Sequence, residues 1–399
     1  MTGDQRSGAY YDPYDVEIHA DPYPAFARLR EEAPVFHNEQ YDFWALSRAA
    51  DVEQAFINWR TFSNSRSDIL DVIKANLDLP PGIVLFEDPP LHAMHRSLMS
   101  RVFSPRRVAG LGDEIRAMCG RCLDHLAGEP QFDVMAEYAT YVPMRVISML
   151  LGIPETDQVA VRDATDANLR TRPGEPMRVT AANIGHPDLF ADYIAWRSEH
   201  PSDDLMTMLL NAEFEDETGM RRTLSREEVL MYCSVLAGAG NETTGRLIGW
   251  MVKVLADDPD QRRDLVADRS LLDATIEETL RFEPTGPHVE RYVMHDVDYY
   301  GTTVPAGSAM MLLVGAANRD PDRYERPDEF DIHRDDARHV TFGWGTHFCL
   351  GAGLARLEAR VALDEFLTRF PEWSYDADGA TLASTSTVRG WESLPISVM

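Results

Sequence analysis

Phe342-Gly343-Trp344-Gly345-Thr346-His347-Phe348-Cys349-Leu350-Gly351 is the stretch that decides how this 399-residue chain is read. It holds one cysteine in a loop punctuated by glycines, and the residues that follow, Ala352 to Phe366, carry a helical pattern. Gly343 and Gly345 permit backbone conformations and close approaches that a side chain would block. Gly351 lets the chain leave the loop beside a flat ligand. A helix starting just past Cys349 turns its free N–H groups and the positive end of its dipole toward the sulfur. Both effects lower a thiol pKa, so the sequence predicts that the loop holds Cys349 as a thiolate. A lone thiolate presented in this way suits axial ligation of a haem iron.

The pattern Phe-Gly-x-Gly-x-His-x-Cys-x-Gly resembles the haem-binding signature of the cytochrome P450 family at every position. The resemblance runs from Asp12-Pro13-Tyr14 to Arg389-Gly390-Trp391 and takes in Asn318-Arg319-Asp320-Pro321 and Phe330 before Arg334. It implies a mainly α fold with a minor β portion that encloses haem b (iron protoporphyrin IX). It implies Cys349 as the iron ligand, with Phe342, His347 and Gly351 as cofactor-binding members of the same loop. Thiolate ligation pushes electron density toward the iron and favours O–O cleavage.

Composition agrees with such a chain. It is 44% hydrophobic and 26% charged, a globular balance long enough to surround a cofactor. No linker, low-complexity run or repeat divides it, so one haem domain over residues 1–399 is expected. Net charge is −28, which argues against nucleic acid and against an anionic membrane, since both need a surplus of Lys and Arg. The N-terminal residues carry no apolar run and no stretch approaches eighteen apolar residues, so the expectation is a cytoplasmic protein without a spanning helix. Four cysteines are too few for a disulfide scaffold of this size. Cys119 and Cys122 lie in a helical pattern with no second pair to complete a zinc site, so they read as helix-face thiols.

Helical patterns run over Pro22–Glu32, Ala49–Asn58, Asp88–Phe103, Leu111–Leu126, Ser225–Ala256 and Leu271–Arg281. The middle of the chain, Gly112 to Glu213, is mainly helical, with a break at Arg172-Pro173-Gly174-Glu175-Pro176. Ser225 with Glu228 three residues on forms a capping box. Strand patterns fall at Phe43–Leu46, Asp296–Tyr300, Thr302–Val304 and Met310–Val314, the last three read as a hairpin.

Inside the longest helical pattern, Ala237-Gly238-Ala239-Gly240-Asn241-Glu242-Thr243-Thr244 breaks local rules. Each glycine costs about 1 kcal/mol in a helix interior, and the threonine hydroxyls compete for backbone carbonyls. Such breaches mark functional positions. Bare backbone at Gly238 and Gly240 admits a flat ligand or a small molecule, and a bent ladder there could take O₂ or water. Ala239 to Thr244 resembles the family's oxygen-binding motif, which implies Glu242 and Thr243 as the catalytic acid–alcohol pair that manages protons. Asn241 stands where bacterial relatives often carry His.

Glu278-Thr279-Leu280-Arg281 places Glu278 and Arg281 on one helix face. It resembles the family's Glu-x-x-Arg, which implies a structural trio closed by Arg334. The resemblance also implies that His92, Arg96, Arg291 and His347 hold the haem propionates, with His95 facing away from His92. Arg101, Arg106, Arg107, Arg356 and Arg360 are candidates for a positive patch that receives an acidic ferredoxin. Substrate-pocket candidates are Ile69–Leu85, Asn168–Ile184, Leu236–Ala239, Thr285–Val289 and Trp391-Glu392, with Arg170 and Arg172 available to steer a carboxylate. The implied reaction inserts one atom of O₂ into a hydrophobic small molecule, by hydroxylation or epoxidation, with electrons from a ferredoxin-type donor. The alternatives are a peroxide-driven haem oxygenase, a haem carrier or sensor without turnover and, remotely, a zinc-thiolate protein.

Overall fold

The longest apolar pattern becomes a helix of 32 residues, Arg226–Asp257. Its start is fixed by the expected capping box: Glu228 N–H donates to Ser225 Oγ at 3.2 Å, and Ser225 N–H donates to a Glu228 carboxylate oxygen at 2.6 Å. Apolar residues on most of its faces force it into the core. The computed structural model describes residues 8–79, 82–167, 170–179, 187–216, 218–335, 338–385 and 387–399. In chain order the helices that matter below are α1 (Tyr23–Glu32), α2 (Ala49–Ile57), α3 (Leu91–Ser100), α4 (Gly112–Asp124), α5 (Tyr141–Leu151), α6 (Gln158–Asp166), α7 (Arg226–Asp257), α8 (Leu272–Phe282) and α9 (Ala352–Arg369). The strands are β1 (Val35–Asn38), β2 (Phe43–Leu46), β3 (Phe62–Ser63), β4 (Val289–Val293), β5 (Val297–Tyr299), β6 (Thr302–Val304) and β7 (Ala309–Leu312).

Helix α7 packs on α5 and α9, and α9 packs on α4. Ile115 and Leu123 of α4, Leu247, Met251 and Leu255 of α7, Ile276 of α8, and Ala362 and Phe366 of α9 share one buried cluster. Two further glycines inside α7, not singled out in the sequence reading, let the segment just before α5 approach it closely. A Cβ on Gly249 would lie 2.5 Å from Met135 Sδ, and one on Gly245 would lie 3.3 Å from Ala139 O.

The sheet order is β1-β2-β7-β4-β3. Strand β7 pairs parallel with β2 and antiparallel with β4, where Met310 faces Arg291. This corrects the predicted hairpin. β5 and β6 pair with each other alone, while Met310 to Leu312, all four residues of β7 being buried, join the larger sheet. A fully apolar strand gains more by burial on both faces than beside an exposed turn. Among the described residues no helix is long and apolar enough to cross a membrane.

Candidate active site

Cys349 is positioned by a tight hydrogen-bonded loop. Gly343 N–H donates to Val340 O at 2.8 Å, Cys349 N–H to Phe342 O at 2.7 Å and Phe348 N–H to Gly345 O at 3.2 Å. Gly343 and Gly345 have φ of 69° and 74°, the left-handed region that favours glycine. At Gly345 a Cβ would also lie within 3.2–3.3 Å of Ile57 and the Phe56 carbonyl, so the loop tip rests on the end of α2. Phe342 lies under the Arg356 guanidinium, 4.5 Å from its ring centre.

The rear of the loop is tied to α8. Asn318 donates to Thr341 Oγ1 at 2.8 Å and accepts from Val340 N–H at 2.9 Å, while Thr341 Oγ1 donates to Leu280 O at 2.6 Å. One residue further, Arg281 is fully buried and uses its whole guanidinium fork. It donates twice to Glu278 at 2.8 Å and to the carbonyls of Asn318, Pro327 and Glu329 at 3.0, 2.8 and 2.9 Å. Arg334 Nε lies 3.2 Å from both Glu278 oxygens. The structure thus brings together the trio that the sequence suggested.

The surroundings of the thiol act in opposite directions. Cys349 is an exposed residue of the loop, while burial is the largest influence on its thiol. Burial pushes the thiol pKa up, and the N–H groups of Gly351 and Ala352 with the charges of Arg96 and Arg356 pull it down. The net direction is upward. A metal cation at the sulfur would add stabilisation of the thiolate, because a coordinating thiol is deprotonated outright.

Near the sulfur, donors gather. The rings of His92 on α3 and His347 on the loop stand 4.1 Å apart. Burial, then Arg96, lowers the His92 pKa to about 4, and burial with His92 and Arg291 lowers that of His347 further, so both rings are neutral. Nδ1 of His92 and Nε2 of His347 are buried without a hydrogen-bond partner. Arg291, on β4, is buried and donates to Glu290 O at 2.6 Å, and Arg96 donates to Phe348 O at 2.5 Å. Among the described residues neither arginine has a carboxylate within ion-pair distance. Two guanidinium groups and two orphaned imidazole nitrogens beside an accessible sulfur fit a planar metal macrocycle carrying two carboxylates, which is haem. His95 is turned away: its ring donates to Glu87 at 2.8 Å, and Glu87 also accepts from Gly82 N–H at 3.1 Å.

On α7 the helix runs unbroken through Gly238 to Thr244. Thr243 Oγ1 donates back to Ala239 O at 2.8 Å. A Cβ on Gly238 would meet nothing within 4 Å, but one on Gly240 would lie 2.8 Å from Ile147 Cγ1. Gly240 therefore serves helix packing, and Gly238 alone leaves open space. Glu242 is buried and pairs with Arg246 at 2.9 Å. Its second oxygen, Oε2, and Oδ1 of the neighbouring Asn241 are buried without partners.

Arg246 also holds the Trp391 carbonyl and, at 3.1 Å, Glu392, and Glu392 pairs with Arg170 at 2.7 Å. Arg170 is thus engaged by an internal carboxylate, while Arg172 is exposed and lies 3.9 Å from Glu175. Sequence reading missed Arg246, although its position four residues after Glu242 is the spacing of a helical ion pair. In the pocket stretches, Leu70 and Ile73 pack into the core beneath the sheet, and residues 80, 81, 168, 169 and 180–184 lie outside the described residues. The proposed positive patch is largely neutralised. Arg107 pairs with Asp203, Arg360 with Asp273, and Arg356 doubly with Glu277 at 2.6 and 2.8 Å. Arg101 and Arg106 make no ion pair among the described residues. Burial pushes the Cys119 thiol up to about 12 and raises that of Cys122.

Comparison with known proteins gives a consistent result. The family model described as cytochrome P450 matches residues 194–390. A Mycobacterium tuberculosis protein designated cytochrome P450 123 is 39% identical over 392 residues, covering 97% of this chain and 96% of that one. The vitamin D(3) 25-hydroxylase of Pseudonocardia autotrophica is 36% identical, covering 97% and 96%. Among solved structures, the bacillaene polyketide synthase cytochrome P450 PksS of Bacillus subtilis superposes with a TM-score of 0.86 at 30% identity, covering 98% of this chain and 100% of that one.

Proposed function

The chain belongs to the cytochrome P450 family and is a haem b monooxygenase, and from that premise we propose that it hydroxylates or epoxidises a hydrophobic small molecule using electrons from a ferredoxin-type donor. The observation that carries this reading is the accessible Cys349 sulfur set among uncompensated donors. Haem, when bound, supplies the activation of O₂ and the transfer of one oxygen atom to substrate. Cys349 would hold its iron through the sulfur. Arg96, Arg291, His92 and His347 would hold its propionates, and Phe342 and Gly351 would line the loop against it.

Proton handling falls to α7. Arg246 fixes Oε1 of Glu242, which leaves Oε2 as the atom that takes and releases a proton. The hydroxyl hydrogen of Thr243 is committed to Ala239 O. To pass a proton inward it must swing off that carbonyl, and in its present rotamer its oxygen serves as an acceptor. A carboxyl and a hydroxyl one residue apart make a relay of the kind general acid catalysis uses.

The substrate class rests on the relatives. One acts on vitamin D(3) and another serves polyketide assembly, which supports a lipophilic, many-carbon substrate. Arg101 and Arg106 support docking of an acidic electron carrier as local positive charge on a chain whose net charge is −28. The test is turnover of an apolar compound panel with ferredoxin, its reductase and NADPH under ¹⁸O₂, read by mass spectrometry. A product heavier by one ¹⁸O is expected. Turnover on hydrogen peroxide with none on ferredoxin would overturn the electron-supply reading.

A further inference from the structure

Two neighbouring glutamates on α8 hold arginines on different elements. Glu278 is fully buried and closes the trio with Arg281 and Arg334. Glu277, one residue earlier, reaches α9 instead and accepts two bonds from Arg356, from Nε at 2.6 Å and Nη2 at 2.8 Å. We propose that Glu277 is a positioning residue for electron uptake: by neutralising Arg356 beside the Cys349 loop, it keeps the reduction potential of the bound haem low. The inference deepens the reading of Cys349 as the residue that holds the iron and rests on it.

The local geometry brings the Arg356 charge to the loop. Its guanidinium lies 4.5 Å from the ring centre of Phe342, and Phe342 O accepts the Cys349 N–H at 2.7 Å. The negative face of an aromatic ring attracts a guanidinium, so carboxylate and ring together fix the Arg356 head. His339 completes the arrangement. Thr341 N–H donates to His339 Nδ1 at 3.2 Å, which leaves the ring hydrogen on Nε2. That nitrogen lies 3.3 Å from Glu277 Oε2, off the line of a straight hydrogen bond. Burial lowers the His339 pKa, so the ring is neutral. The cluster therefore runs from the loop backbone through an imidazole and a carboxylate to a guanidinium, with no net charge.

Two guanidinium groups act on the Cys349 sulfur, those of Arg96 and Arg356. Arg96 has no carboxylate within ion-pair distance among the described residues, whereas Arg356 has a bidentate one. Without Glu277, one unit of positive charge near the sulfur is left uncompensated. Adding one electron to the haem iron adds one negative charge, so bare positive charge nearby favours the reduced state. The same charge draws electron density on the sulfur away from the iron, which acts in the same direction. The Arg356 and Glu277 side chains are 36% and 31% exposed, so water and salt screen the effect. The expected change is about three- to tenfold in the reduction equilibrium, about 28–59 mV for one electron.

The test is a spectroelectrochemical titration of the haem-loaded protein at pH 7, with the carbon monoxide spectrum of each reduced variant alongside. Glu277→Gln keeps the shape of the side chain and should raise the potential by about 28–59 mV, less in about 1 M salt than in about 0.1 M. Arg356→Gln leaves Glu277 unpaired and should lower it. The double variant restores neutrality and should return toward wild type, and Glu277→Asp, which keeps the charge, should stay close to wild type. An unmoved potential in Glu277→Gln overturns the proposal. So do single variants that both shift in one direction, as distortion of the loop would make them. A wild-type carbon monoxide spectrum that is not that of a thiolate brings down the reading of Cys349 itself. Thiolate spectra throughout with coincident potentials leave that reading standing and remove Glu277 from it.

Discussion

Loss of Arg281 should be close to lethal for the fold, and the size of the effect follows from its contacts. In Arg281→Ala, Glu278 keeps Arg334 and the Asp331 N–H at 2.9 Å, but loses its fully buried partner. Breaking a buried pair costs about 3–5 kcal/mol. The Glu329 carbonyl retains Arg334 at 3.0 Å. The carbonyls of Asn318 and Pro327 lose the Arg281 donor, at about 1–3 kcal/mol each. The sum, about 5–11 kcal/mol, spans much of the 5–15 kcal/mol that holds a typical protein folded. Arg281→Lys keeps the charge but replaces a five-donor fork by one ammonium, so only the carbonyl terms, about 2–6 kcal/mol, should be lost. The assay is urea unfolding followed by circular dichroism, alongside haem content from the ratio of Soret to 280 nm absorbance. Arg281→Lys should be shifted well down in urea with partial haem, and Arg281→Ala should yield little folded holoprotein. An Arg281→Ala protein with full haem and a wild-type urea midpoint would refute the reasoning.

Gly345→Ala should also weaken haem retention. Its φ of 74° costs a non-glycine residue about 1–2 kcal/mol, and the 3.2–3.3 Å contacts with Ile57 and Phe56 add strain, so faster haem transfer to an apo-myoglobin acceptor is expected; an unchanged rate would contradict this. Glu277 gives an acid-stability signature. Burial raises its pKa, but Arg356 and His339 outweigh that and hold it at about 2, against 4.5 for a free side chain. A depressed carboxyl stabilises the fold above its unfolded pKa, and that stability drains away as pH falls from 4.5 toward 2. Glu277→Gln should therefore be less stable than wild type at pH 6 and should converge with it near pH 2. A stability difference independent of pH would show that the ion pair is not its source.

How far the sequence was legible follows physical lines. The long helices were readable because 3.6-residue periodicity and a capping box are local signals. The loop at Cys349 was readable because its glycines answer to steric needs, two of them to positive φ. Strand β7 was misplaced because a short apolar run does not say which strand it will join; that is decided by burial on both faces. The desolvation of the Cys349 thiol was not readable, because it is a tertiary quantity set by what packs around the loop. The cluster of Asp166, Arg246 and Glu392 was missed because it unites residues more than two hundred positions apart. Only the Glu242–Arg246 step could have been found from spacing. Gly240 shows the reverse error: a glycine taken for ligand access accommodates Ile147 instead.

The central claim is that Cys349 ligates haem iron as a thiolate. It is tested most directly by the visible spectrum of the dithionite-reduced protein under carbon monoxide, in wild type and in Cys349→Ser. The account predicts a Soret band at the long-wavelength position that a thiolate opposite CO produces, absent from the serine variant. A wild-type band at the shorter-wavelength position of a neutral ligand, or a band unchanged in Cys349→Ser, would contradict it.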